Sequence, residues 1–254
     1  MKTFLAQFGI LFGLGILGIV ALIPTQIPLL QQQLRAYSQT DVPPLWIILI
    51  SINLPEVLLL IIAVSIGIFC TSPLALSSRL IDKLVVRKAS TISLAQELKW
   101  SLGVGLSTAV LVLGLDWLMT PLLPKALQSQ AATPKFYAIA GIFHGGLTEE
   151  ILMRWGLMSF LVWALWKIFK RGTNLPSRWI YQTAILIAAL LFGLGHLPAT
   201  AALVPLTPLL IGRAVLLNGI VGIGYGWLFW QYSLEAAMIA HISFHVLTAI
   251  VSPS

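Results

Sequence analysis

Long apolar runs separated by short polar breaks dominate the chain: Phe4–Ile23, Leu45–Phe69, Trp100–Leu122, Phe136–Phe169, Trp179–His196, Ala214–Trp230 and Ser233–Val251. Most approach the roughly twenty residues that a helix needs to cross a bilayer. The run Phe136–Phe169 is too long for a simple crossing. As one α-helix it would extend roughly 50 Å against about 30 Å of hydrocarbon. It is expected to tilt, protrude or break near Gly141, Gly145 and Gly146. The first run is followed by Pro24 rather than by a small-residue cleavage site, which predicts an uncleaved span ending there. Pro198, Pro205 and Pro208 interrupt the apolar stretch Leu197–Gly212 and predict a broken or re-entrant segment. Between Thr71 and Lys99, apolar and charged residues alternate at roughly helical spacing, as in an interfacial amphipathic helix. The expected fold is all-α, a polytopic transmembrane bundle of about seven to eight helices. Residues 1–254 form one integral membrane domain, with N-terminal spans in 1–135 and a core in 136–254.

Composition leads the same way. Hydrophobic residues make up 58% of the chain and charged residues 9%, against about 25% charged in soluble domains. The +7 charge is concentrated in two clusters between spans. The first holds Arg79, Lys83, Arg87, Lys88 and Lys99, the second Lys167, Lys170, Arg171 and Arg178. This is the positive-inside pattern of cytoplasmic loops rather than a nucleic-acid face. It predicts a multi-pass protein with a cytoplasmic N-terminus and external loops at Pro24–Pro44 and Pro124–Lys135. Cys70 is the single cysteine, which excludes an intrachain disulfide and a cysteine metal centre.

Against this background, Glu149, Glu150 and Arg154 stand out within an apolar span. Each charge at the centre of a membrane helix costs about 2.5–3.5 kcal/mol. Glu150 and Arg154 are four apart and share a helix face, as a structural ion pair would. Glu149 points about 100° away and is left unexplained by that pair. His196 closes its span, and His241 and His245 lie four apart on the last one. Taken singly, these histidines read as packing residues. Gathered around a carboxylate, imidazoles can activate water and stabilise an oxyanion. Ile242 occupies the place of the glutamate in the H-E-x-x-H zinc motif, so that motif is absent. His144, five and six residues before the glutamates, is expected to be a spectator. Glu56, Asp116 and Glu235 are expected to be polar bundle contacts or a helix first-turn acid.

Three segments in order carry a resemblance: Glu149-Glu150-x-x-x-Arg154, Phe192-x-x-x-His196, and Ser233-Leu234-Glu235-Ala236-Ala237-Met238-Ile239-Ala240-His241. Together they resemble the CPBP (Abi) family, which includes Ras-converting-type CAAX prenyl endopeptidases and bacteriocin-processing or immunity proteins. The resemblance covers about Ala138 to Val251. It implies an intramembrane endopeptidase acting on a membrane-bound protein or peptide in the lipid bilayer, with a prenylated CAAX-type C-terminus as one candidate. Glu149 would be general base on a water with His196 assisting, Glu150 and Arg154 would brace the site, and His241 with His245 would hold the oxyanion. The family pattern has asparagine where this chain has His245. No cofactor is expected; the alternative is a divalent metal such as zinc on Glu149, His196 and His241. Competing readings are a non-proteolytic scaffold, assembly factor or immunity protein with an unknown membrane-complex partner, and a transporter. No repeated halves support the transporter.

Overall fold

The computed structural model describes residues 2–36, 43–89, 92–128, 135–169 and 175–251. Among these, seven helices are long and apolar enough to cross a membrane, and no strand occurs. Helix α1 is Lys2–Ala36, α2 is Leu45–Thr71 and α3 is Leu94–Met119. Helix α4 runs through Lys135–Ala140, Gly141–Glu149, Ile151–Met158 and Ser159–Phe169. Helices α5, α6 and α7 are Arg178–Gly195, Pro208–Gln231 and Leu234–Val251. The chain is a multi-pass membrane helix bundle.

Several boundaries differ from the sequence expectation. Helix α1 does not stop at Pro24 but continues through it and through Pro28. A proline removes one backbone donor. Here the same turn gains side-chain bonds: Thr25 Oγ1 donates to the Leu22 carbonyl at 2.7 Å, and Gln26 and Asn53 exchange amide bonds at 3.1 and 2.9 Å. Helix α4 does not break at its glycines. It widens instead, with i→i+5 hydrogen bonding through Gly141–Glu149 and Ile151–Met158. Segment 71–99 is not one amphipathic helix; it holds three short helical turns, Ser72–Leu74, Arg79–Ile81 and Asp82–Val86, before α3 begins. The stretch after His196 does break, into a short helix Leu197–Ala201 and a turn. Helix α6 then starts at Pro208, where a missing N–H costs nothing, and Thr207 Oγ1 accepts from Leu210 N at 3.3 Å. Residues 37–42 of one expected external loop, 129–134 of the other, and Lys170 and Arg171 lie outside the described residues.

Without a hydrophobic force between helices in lipid, close packing of small residues holds the bundle together. A Cβ on Gly222 of α6 would stand 2.8 Å from Ala189 of α5, and one on Gly193 would stand 2.7 Å from Val215. Large apolar side chains fill the space between these close approaches. Trp155 and Met158 of α4, Tyr181 and Phe192 of α5, and Tyr225 and Phe229 of α6 form one buried core. Helix α7 packs on α3, α4 and α6. Its start is tied to the first half of the chain: Leu234 N donates to the Ser77 carbonyl at 3.0 Å. Glu235 accepts from Ser78 Oγ at 2.5 Å, Arg79 N at 2.8 Å and Leu80 N at 3.0 Å. Buried Glu97 accepts from Arg79 and from Ser233 Oγ.

Candidate active site

The widened turns of α4 decide what faces what. In an α-helix, residues five apart are offset by roughly 140°. With i→i+5 bonding, five residues make about one turn, so His144 and Glu149 stack on one face. His144 Nδ1 lies 3.4 Å from Glu149 Oε1, and His144 Nε2 lies 2.6 Å from Glu56 Oε1 on α2. The spectator expectation for His144 is therefore wrong in position: it touches the carboxylate. A spacing of five separates two side chains only where the turn holds 3.6 residues, and here it holds more.

Glu150 points the other way, into the bundle, and is fully buried. Arg154 Nε lies 3.1 Å from Glu150 Oε2, although the N–H does not align with that oxygen as a hydrogen bond. The guanidinium is held on further sides by the Gly222 carbonyl, 3.3 Å from Nη2, and by the rings of Phe192 and Tyr225, 5.2 and 5.6 Å from its centre. One buried charge thus contacts α4, α5 and α6, and Glu150 extends the network to α7. Glu150 Oε1 is 2.8 Å from His241 Nδ1. An ionised carboxylate can only accept, so that contact places a proton on Nδ1 of His241. Nε2 is then turned to the other glutamate, 3.9 Å from Glu149 Oε2, beyond a direct hydrogen bond.

His245 stacks on His241 at 5.0 Å between ring centres, one turn further along α7. Room for both rings comes from Gly141 and Gly145. A Cβ at Gly145 would stand 2.7 Å from His245 Nε2 and 2.9 Å from His241 Nε2, so both nitrogens border the space that a side chain there would fill. His196 sits at the end of α5, where its Nδ1 donates to the Phe192 carbonyl at 2.8 Å. The carbonyl only accepts, which leaves the lone pair on Nε2.

Glu149, His196, His241 and His245 all line one cavity of about 220 Å³, together with His144 and Asn218. Glu150 and Arg154 lie behind it. The six residues singled out in the sequence, drawn from three helices, are thus neighbours. Glu56 and Asn218 were not connected with this site by sequence spacing. Only helix packing brings α2 and α6 to it. As to a metal, no three His, Cys, Asp or Glu side chains converge as a ligand group among the described residues. The nitrogens of His144, and one each of His196 and His241, already face oxygen partners.

No curated protein and no solved structure matches the chain. Residues 131–247, which carry Glu149, Glu150, Arg154, His196, His241 and His245, match the family described as Rce1-like, type II CAAX prenyl endopeptidase.

Proposed function

We propose that this protein is an intramembrane endopeptidase in which Glu149 acts as general base on a water. The observation that supports this best is the convergence of Glu149, His196, His241 and His245 on one cavity within an apolar bundle. Charge and imidazole at membrane depth are tolerated when turned toward one another or toward water, and these side chains face one another across that cavity.

In the proposed reaction Glu149 removes a proton from water, with the Nε2 lone pair of His196 as a second acceptor. The resulting hydroxide attacks the carbonyl carbon of the scissile peptide. The carbonyl oxygen, becoming an oxyanion, takes up the space over Gly145. There His241, protonated on both nitrogens between the two glutamates, and His245 turn Nε2 N–H groups toward it. The proton taken from water passes to the leaving amine as the C–N bond breaks. Glu150 and Arg154 do not react; they hold His241 by its Nδ1. His245 fills the place of the family's asparagine and keeps a donor there. The substrate is a membrane-associated protein or peptide, taken here as one with a prenylated CAAX-type C-terminus.

The test uses purified protein in liposomes and a quenched peptide ending in a farnesylated CAAX sequence, with products identified by mass spectrometry. Cleavage by the parent protein is expected. Glu149→Gln, which keeps the shape and removes the base, should lower the rate by about 10²–10⁴. Activity within a few-fold of the parent would remove Glu149 from the mechanism. Chelator treatment should leave cleavage intact; its loss, restored by zinc, would favour the metal alternative. No cleavage by the parent, together with unchanged membrane-protein termini in cells lacking it, would leave the scaffold reading.

A further inference from the structure

The hydrolytic scheme makes no use of Glu56 or His144, although both carry charge or a titratable ring at membrane depth, where such groups are costly. Glu56 lies on α2, outside the segment similar to the CAAX endopeptidases. It meets His144 Nε2 at 2.6 Å, and the opposite ring nitrogen faces Glu149 Oε1 at 3.4 Å. Both carboxylates accept and neither donates when ionised, so a ring with one N–H can serve only one of them. Serving both requires a proton on each nitrogen. The cation so formed reduces two adjacent negative charges to a net one.

This arrangement divides the two oxygens of Glu149. Oε1 is on the His144 side, whereas Oε2 faces His241 Nε2 at 3.9 Å across the cavity. A carboxylate on a flexible side chain would otherwise rotate about its terminal torsion, which is broad. Fixing it from the far side keeps one oxygen toward the space where a water must sit.

We infer that His144, anchored by Glu56, is a positioning residue that holds Glu149 by Oε1 so that Oε2 is the oxygen that takes the proton from water. The inference rests on the proteolytic reading above. A role confined to tying α2 to α4 would predict something different: loss of folded protein, with the kinetics of the surviving fraction unchanged.

The experiment measures kcat and KM on the farnesylated CAAX peptide for the parent and for His144→Ala, His144→Asn and Glu56→Gln, all checked for monodispersity and thermal stability. His144→Ala should lower kcat by at least about tenfold, up to the order of 10² that misplacing a reacting group costs, with KM within about twofold. His144→Asn, which keeps an amide N–H near the Nδ1 position, should recover most of that loss. Glu56→Gln should lower kcat by a smaller factor than His144→Ala. Cleavage by the parent with kcat of His144→Ala within about twofold would overturn this inference and leave the proteolytic reading standing. Equal impairment of His144→Ala and His144→Asn would overturn it as well, since the retained donor would then count for nothing. If His144→Ala proved too unstable to purify, a Glu56→Gln kcat equal to the parent's would overturn the inference, and a reduced one with unchanged KM would support it. No cleavage by the parent, together with unchanged membrane-protein termini in cells lacking it, would overturn both readings together.

Discussion

Arg154 shows how one residue can be legible in sequence and still acquire its meaning from packing. A lone arginine in an apolar span demands a partner, and Glu150 four residues on the N-terminal side supplies it. What sequence spacing does not show is that the same guanidinium also meets Gly222, Phe192 and Tyr225. Removing it takes the arginine from Glu150, which is fully buried and keeps His241 Nδ1 as its remaining partner. Breaking a buried pair costs about 3–5 kcal/mol, comparable to much of a domain's net stability. Arg154→Ala is therefore expected to lower the yield of monodisperse protein and its melting temperature, along with activity. A variant of parental stability with no activity would instead assign the arginine a part in the chemistry. Asp116 is a simpler case: read as a polar bundle contact, it pairs with Arg213 at 2.5 Å.

At the scale of elements, helix α4 and the start of α7 matter most. The glycines of α4 suggested a break, but their use is to leave room. Gly145→Ala would place a methyl group within 2.7 Å of one imidazole and 2.9 Å of another. Overpacking of this kind costs about 1–3 kcal/mol, partly offset by the 0.5–1 kcal/mol or so that alanine gains over glycine in a helix. The balance is a net loss of stability of up to about 2.5 kcal/mol, and displaced imidazoles should reduce kcat by up to about 10²-fold. Gly103→Ala on α3, where nothing lies within 4 Å, is the control: it should leave kcat unchanged and stability equal or slightly higher, by the same helix preference. At the start of α7, Glu235 was read as a first-turn acid, and it is one. It also accepts from two backbone N–H groups and a hydroxyl at the short helix Arg79–Ile81. Glu235→Ala would leave those donors without this partner, at roughly 1–3 kcal/mol. A lowered melting temperature with reduced activity is expected, because α7 carries His241 and His245. Unchanged melting would show that water replaces the carboxylate there.

For the whole molecule, seven helices of spanning length give alternating directions, which places the 72–93 connection and the α6–α7 turn on one face. Contact between Ser77 and Leu234 is consistent with this. The basic residues Arg79, Lys83, Arg87 and Lys88 belong to that connection, and from the positive-inside bias we propose that this face is the cytoplasmic one. Two crossings, α1 and α2, separate the start of the chain from that connection, so the N-terminal end of α1 faces the same side. Native Cys70 is 2% exposed, so introduced cysteines can be read against a quiet background. An impermeant maleimide applied to intact cells should label Lys125→Cys and spare Lys83→Cys until the membrane is opened. The reverse pattern would invert the orientation.

The membrane class, most of the helices and the six residues that the bundle gathers at or behind one cavity stood out in the sequence, because lipid penalises charge and irregular backbone so strongly that exceptions are conspicuous. Glu149, His196 and His241 declare themselves by being where apolar residues are expected. Helix ends near proline and the face on which a residue lies were less legible. Pro24 does not end α1, which runs on to Ala36, and His144 reaches Glu149 because α4 is wider there than an α-helix. The partners on other helices, Glu56 for His144 and Glu150 for His241, were decided by tertiary structure alone. Periodicity fixes a residue's direction about its own axis, and only the packing of small-residue faces against one another sets which other helix that direction meets.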